Sequence, residues 1–139
     1  MKRVLVDTGP LVAILSRNDE YHEACVQQLH EMTGPLLTCW PVITEAAWLL
    51  RGSSPVVQRL LQSLEGNFLE LLPLGGNEAK AIAAIVKRYE DIRPQLADAA
   101  LVYLAQRERI DTIFTLDHRD FSIYRSAAKR SFRIIPEAE

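Results

Sequence analysis

The sequence predicts an α/β protein: a three-layer α/β/α sandwich around a central, mainly parallel sheet. Two patterns point there. Short uncharged runs rich in Val, Ile and Leu alternate with longer stretches of helical periodicity. The short runs are apolar at consecutive rather than alternate positions, as in strands covered on both faces. Length agrees, since 139 residues suit a single domain, 1-139, with a proper core.

The elements follow in order. Val4 to Val6 reads as a buried strand. Pro10 to Ser16 reads as a helix with Thr8 as its cap, because Pro is tolerated in a first turn. Glu20 to Met32 is amphipathic, with Tyr21, Ala24, Cys25, Leu29 and Met32 near one face. Gly34-Pro35 breaks it, and Leu36 to Cys39 is a second strand. Pro41 to Leu50 and Val56 to Leu64 are helices separated by Gly52-Ser53-Ser54-Pro55. Phe68 to Leu72 is a strand closed by Pro73. Asn77 caps a helix of Glu78 to Tyr89, and Leu96 to Gln106 is another. Thr112 to Leu116 and Phe132 to Ile135 are the last strands, joined through a loop of Ser122 to Ser131.

Composition excludes several classes. Sixteen basic against 18 acidic residues, a net charge of -2, rule out a broadly basic nucleic-acid coat protein. No window approaches the roughly 20 apolar residues of a membrane helix. Asp7 interrupts the apolar start and no cleavage site follows, so no signal peptide is expected. Cys25 and Cys39 are too few for a disulfide scaffold and fit a reducing cytoplasm, packed as small hydrophobes.

The informative feature is where acids fall. Asp7 directly follows the first strand and Asp117 directly follows Ile113-Phe114-Thr115-Leu116. Open parallel sheets bind ligands at the carboxyl ends of strands, so the two acids share one crevice if their strands are neighbours. Glu45 and Asp98 lie among apolar helical residues near the starts of their helices, where the macrodipole favours an anion. Each acid also has an ordinary reading: Asp7 as a cap, Asp98 as a dipole-favoured first-turn residue, Glu45 as a solvated helix residue, Asp117 as a turn former. Together, with no Lys nearby, four carboxylates call for a divalent cation, and oxygen-only ligation favours Mg²⁺ or Mn²⁺.

At this point the chain resembles the PIN-domain nucleases, including the toxin subunits of type II toxin–antitoxin pairs. The resemblance is carried by Val6-Asp7-Thr8-Gly9-Pro10, Thr44-Glu45-Ala46, Leu96-Ala97-Asp98-Ala99-Ala100-Leu101 and Thr115-Leu116-Asp117-His118-Arg119-Asp120-Phe121. No piece is specific alone; their order and spacing carry the likeness. It implies RNA phosphodiester cleavage with Mg²⁺ or Mn²⁺, a homodimer and a small antitoxin partner. The family's acidic pocket maps onto Asp7, Glu45, Asp98 and Asp117, with Asp7, Asp98 and Asp117 as metal ligands. Its hydroxyl positions map onto Thr8 and Thr115, and Asp120 shares or replaces the role of Asp117. Many relatives carry a further Asp where this chain has Gln95, which bears on a second metal site; Asp91 is a weaker acid upstream.

An RNA substrate needs positive charge outside such a pocket. Arg119, Arg125, Lys129, Arg130 and Arg133 supply it in one late segment, either as phosphate contacts or as a solvated loop. Tyr124 reads as packing rather than a base-stacking ring, and Trp40 and Trp48 as core or dimer contacts. His22, His30 and His118 show no metal-ligand spacing. Two other functions compete. A Mg²⁺-dependent phosphohydrolase of the haloacid-dehalogenase kind places Asp after strand one, but needs a second Asp where Gly9 stands. A non-catalytic RNA-binding module would have no use for four acids.

Overall fold

The structure, a computed structural model, describes residues 2–66 and 68–138. Five short strands form one sheet: β1 (Val4–Val6), β2 (Leu36–Thr38), β3 (Leu69–Leu71), β4 (Thr112–Phe114) and β5 (Arg133–Ile135). Every pairing is parallel, in the order β3-β2-β1-β4-β5. All residues of β1, β2 and β4 are buried, which is what their unbroken apolar runs require.

Among the described residues seven α-helices flank the sheet: α1 (Thr8–Leu15), α2 (His22–His30), α3 (Trp40–Leu49), α4 (Ser54–Gln62), α5 (Ala79–Arg88), α6 (Leu96–Glu108) and α7 (His118–Phe121). The chain steps outward from β1 to β2 to β3, then crosses back to place β4 on the other side of β1. Right-handed crossovers put the helices on either side of this reversal on opposite faces, giving the three layers expected. The reversal also makes the seam between β1 and β4 the topological switch point, with Leu5 opposite Ile113 and Val6 opposite Phe114.

Helix α6 is the core helix. Ala97, Ala99, Ala100, Leu101, Val102, Leu104 and Ala105 are buried, and apolar residues surround its axis rather than lining one stripe. Its alanines give it no bulk to hold neighbours away, and α5 and α3 both pack against it. Helix α3 touches α1 as well, so it spans from the first crossover to α6. That placement draws Glu45 toward Asp98.

Local boundaries differ where side chains compete for the helix ends. Asp7, not Thr8, caps α1, because its carboxylate accepts the Thr8 N–H. The helix expected from Glu78 is preceded by a 3-10 turn, Gly76–Glu78, in which Glu78 reaches back to the Gly75 N–H. Residues 118–121, to which the sequence pattern assigns no element, form α7, because Asp117 accepts the Asp120 N–H. Strand β4 ends two residues early, since Thr115 turns its hydroxyl into the site described below.

Leu5 lies fully buried on the central strand. Leu5→Ala is expected to lower the unfolding free energy by about 2–5 kcal/mol in a urea titration. A loss below about 1 kcal/mol would show that the centre of the sheet tolerates a cavity.

Candidate active site

The acidic residues meet at the carboxyl edge of the sheet, outside the β1–β4 seam. Asp7 leaves the end of β1 with its N–H donating to the Phe114 carbonyl (2.9 Å), so it continues the pairing with β4. Its carboxylate is buried and held at both oxygens. The Thr8 N–H donates to Oδ1 and the Thr115 hydroxyl to Oδ2, each at 2.8 Å. The same Thr115 Oγ1 accepts the Asp117 N–H at 3.0 Å, and Asp117 Oδ1 accepts the Asp120 N–H at 3.0 Å. Four hydrogen bonds thus wire the start of α1 to the start of α7 through Asp7, Thr115 and Asp117.

Asp98 arrives from the first turn of α6. One carboxylate oxygen each from Asp98, Asp117 and Asp120 lie within 4.8 Å of one another. The structure therefore gathers Asp98, Asp117 and Asp120 most closely, and raises Asp120 from an accessory position to a full member. Asp7 sits behind this trio. Glu45, half-buried on α3, is near enough for its charge to act on both Asp7 and Asp98.

Electrostatics record the crowding. Burial pushes the Asp7 carboxyl up to about 6, against the hydrogen bonds from Thr115 and Thr8 that pull it down. Burial and then the charges of Asp7, Asp117, Glu45 and Asp120 push Asp98 up to about 7. Asp120 is raised too, by burial and by Asp117 beside it. Among the described residues none of these five acids forms an ion pair. Thr8 Oγ1, at the same strand end, is buried with no hydrogen-bond partner among the described residues.

That donor set fits a hard divalent cation. The available donor atoms are carboxylate oxygens, the like charges repel without a counter-charge, and one oxygen each of Asp98, Asp117 and Asp120 lie within 4.8 Å of one another. The cysteines do not contribute a nucleophile. Cys25 and Cys39 are buried free thiols, and burial pushes both up to about 11.

Other candidate residues fall as follows. Tyr124 is fully buried, packed edge-on against Tyr89 and Phe121, so it is unavailable to stack on a base. Its hydroxyl donates to Asp98 Oδ2 at 3.4 Å, a role the sequence pattern did not reveal. Trp40 and Trp48 are 56% and 63% exposed, which removes them from the core. With Leu96 they border a cleft of about 550 Å³ that includes Glu45. Arg119 and Arg130 are exposed, while the Arg125 Nη1 donates to the carbonyls of Ser122, Ile123 and Tyr124.

Both raised carboxyls keep protons that the unfolded chain has already released. From their ordinary value of 3.8 up to about 7, the native state therefore binds more protons, and stability falls as pH rises through that window. The melting temperature of metal-free protein is expected to drop between about pH 5 and pH 7.5. Asp98→Asn should flatten that drop, and Mg²⁺ or Mn²⁺ should raise the melting temperature far more at the higher pH, because ligands must be ionised. A pH-independent melting temperature in metal-free protein would contradict the crowded-carboxylate description.

A family model described as PIN domain matches residues 4–127. Ribonuclease VapC26 of Mycobacterium tuberculosis (strain ATCC 25618 / H37Rv) is 34% identical over 135 residues, spanning 96% of this chain and 100% of that protein. Among solved structures, VapC20 of Mycobacterium tuberculosis, described as a sarcin-ricin loop cleaving toxin, superposes with a TM-score of 0.73. That likeness covers 79% of this chain and 86% of VapC20 at 12% identity, and it bears on the fold alone.

Proposed function

We propose that this chain, which belongs to the PIN domain family, is a metal-dependent endoribonuclease that acts as the toxin of a toxin–antitoxin pair. The observation that carries the reading is the convergence of Asp98, Asp117 and Asp120 in front of a buried Asp7 at the β1–β4 switch point. The 34% identity to a named ribonuclease along nearly the whole chain supports the same chemistry.

Asp98, Asp117 and Asp120 would hold Mg²⁺ or Mn²⁺, with Asp7 adjoining. A divalent cation there supplies Lewis-acid polarisation of the scissile phosphate and offsets the charge that develops on its oxygens. The chain's own residues set the geometry. Thr115 and the Thr8 N–H fix the Asp7 carboxylate in one rotamer. Asp117 is fixed through its own N–H on Thr115 and through the Asp120 N–H it accepts. Tyr124 orients Asp98 from below. Glu45, on α3, would act through water or orient the attacking nucleophile. An RNA phosphate meets these acids as one anion approaching several, so cleavage without the cation is disfavoured at neutral pH.

RNA cleavage by purified protein with Mg²⁺ or Mn²⁺ tests the reading. Asp98→Asn and Asp117→Asn are expected to reduce cleavage to background. Thr115→Val, which leaves Asp7 Oδ2 without a donor while the Thr8 N–H still holds Oδ1, is expected to cost about 10–100-fold in activity or metal affinity. Full activity in both Asp variants would sink the assignment. Hydrolysis of a small phosphomonoester with none of RNA would instead favour the phosphohydrolase.

The partners follow from the same reading. A small antitoxin would cover the acidic pocket with a basic tail, which an adjacent gene for such a protein would support. The exposed Trp40, Trp48, Leu49 and Leu96 favour self-association as a homodimer. Trp48→Glu should then shift the sedimenting species from dimer to monomer, and a wild-type monomer across all concentrations would reject this part. Among the described residues no helix is long and apolar enough to cross a membrane, and the reading places the enzyme in the cytoplasm with its RNA.

A further inference from the structure

A second, oppositely charged feature lies at the far end of α6. Arg88, Arg109, Arg125 and Lys129 border a cleft of about 440 Å³ together with Gln106 and Ser126. Among the described residues no carboxylate lines it, in a chain whose net charge is -2. Among the described residues none of the four cations forms an ion pair, whereas nearby Arg107 is bound to Glu78 and Glu108.

The walls are braced rather than loose. The Gln106 Nε2 donates to the Arg125 carbonyl (3.2 Å), and the Arg125 N–H donates to the Tyr89 hydroxyl (3.1 Å). These bonds tie the loop before β5 to both α6 and α5. Ser126 closes the loop on the Arg130 carbonyl through its N–H (2.8 Å) and its hydroxyl (3.2 Å). Cations at helix C-termini are favoured by the macrodipole, which accounts for Arg88 at the end of α5 and Arg109 after α6. It does not account for Arg125 and Lys129, which the loop brings from another part of the chain.

The cleft is joined to the acidic site by one peptide bond. Tyr124 donates to Asp98, and Arg125 is the next residue. Asp98 stands in the first turn of α6 and Arg109 follows its last, so the two ends lie about 16 Å apart along the axis. A single strand of a few nucleotides spans that distance. We propose that this basic cleft is a remote subsite that binds backbone phosphates of the single-stranded RNA whose scissile bond lies at the acidic site. The proposal rests on the nuclease reading above. Guanidinium groups suit the ligand, since they pair with phosphate oxygens in a fixed fork.

The test uses the inactive Asp98→Asn protein, full length, with a fluorescent single-stranded RNA oligonucleotide titrated at several salt concentrations. Arg88→Gln, Arg109→Gln and Lys129→Gln are added together; Arg125 is left intact because it braces the loop. Loss of three phosphate contacts should lower the slope of log affinity against log salt by about 2, at roughly 0.7 per contact. A control, Arg17→Gln, Arg59→Gln and Lys80→Gln, removes the same charge from exposed positions outside the cleft and should leave the slope in place. Matching melting temperatures confirm that both variants fold. An unchanged slope in the cleft variant, or an equal fall in the control, overturns the proposal. So does a cleft variant that keeps RNA but loses an acidic peptide. Failure of the nuclease reading shows separately, as no RNA cleavage by the wild-type protein with either metal.

Discussion

The hydrogen bond from the Thr115 hydroxyl to the buried Asp7 carboxylate joins the ends of β1 and β4, and the acidic site is assembled around it. Its origin is a constraint of parallel sheets. Two neighbouring parallel strands end on the same edge, and where the chain reverses direction no crossover covers the gap between them. Side chains just past those ends are the ones that can meet there. Asp7 and Thr115 occupy those places. With its one hydroxyl proton given to Asp7, Thr115 Oγ1 can only accept, and the Asp117 N–H donates to it. Asp117 in turn starts α7 by accepting the Asp120 N–H. A short helix that looks incidental is thus held in place by the same bonds that orient the acids.

Such a site is stabilised by its surroundings and strained by its own charge. Burial and mutual repulsion hold Asp7 near 6 and Asp98 near 7, so ionising them works against the fold. The sheet beneath compensates. β1, β2 and β4 are buried throughout, and α6 contributes seven buried apolar residues to the same core. Rigid support of this kind lets like charges be kept at close range until a cation is bound.

Much of this was legible in the sequence, for a definable reason. Consecutive apolar runs marked the strands, and an acid directly after such a run is placed by the pleat itself. Asp7 was therefore readable from the strand alone, whereas Asp117 lies three residues past the end of β4 and is placed by its N–H on Thr115 and as the cap of α7. Glu45 and Asp98 were readable because a carboxylate among Ala and Leu is chemically conspicuous. What the sequence hid depends on contacts between distant elements. Tyr124 looked like ordinary packing, because nothing local indicates that its hydroxyl meets Asp98. Trp40 and Trp48 read as either core or dimer contacts, because bulk and apolarity do not specify which side of α3 faces out, and their exposure excludes only the core. Asp120 looked secondary to Asp117, yet one turn of α7 brings both beside Asp98.

The basic cleft illustrates the same limit from the other side. Lys129 and Arg125 belong to a visible run of positive charge, but Arg88 and Arg109 come from the ends of two helices and join it only in three dimensions. Their segregation from the acids follows from the direction of α6. A helix antiparallel to its sheet begins at the carboxyl edge, where ligands bind, and ends at the opposite edge. Its positive dipole end meets Asp98 and its negative end meets Arg109. One element therefore favours acid at one end and base at the other, and holds them at a fixed separation. A net charge of -2 averages these ends to nearly nothing, although a polyanion approaching the protein would meet them as distinct surfaces.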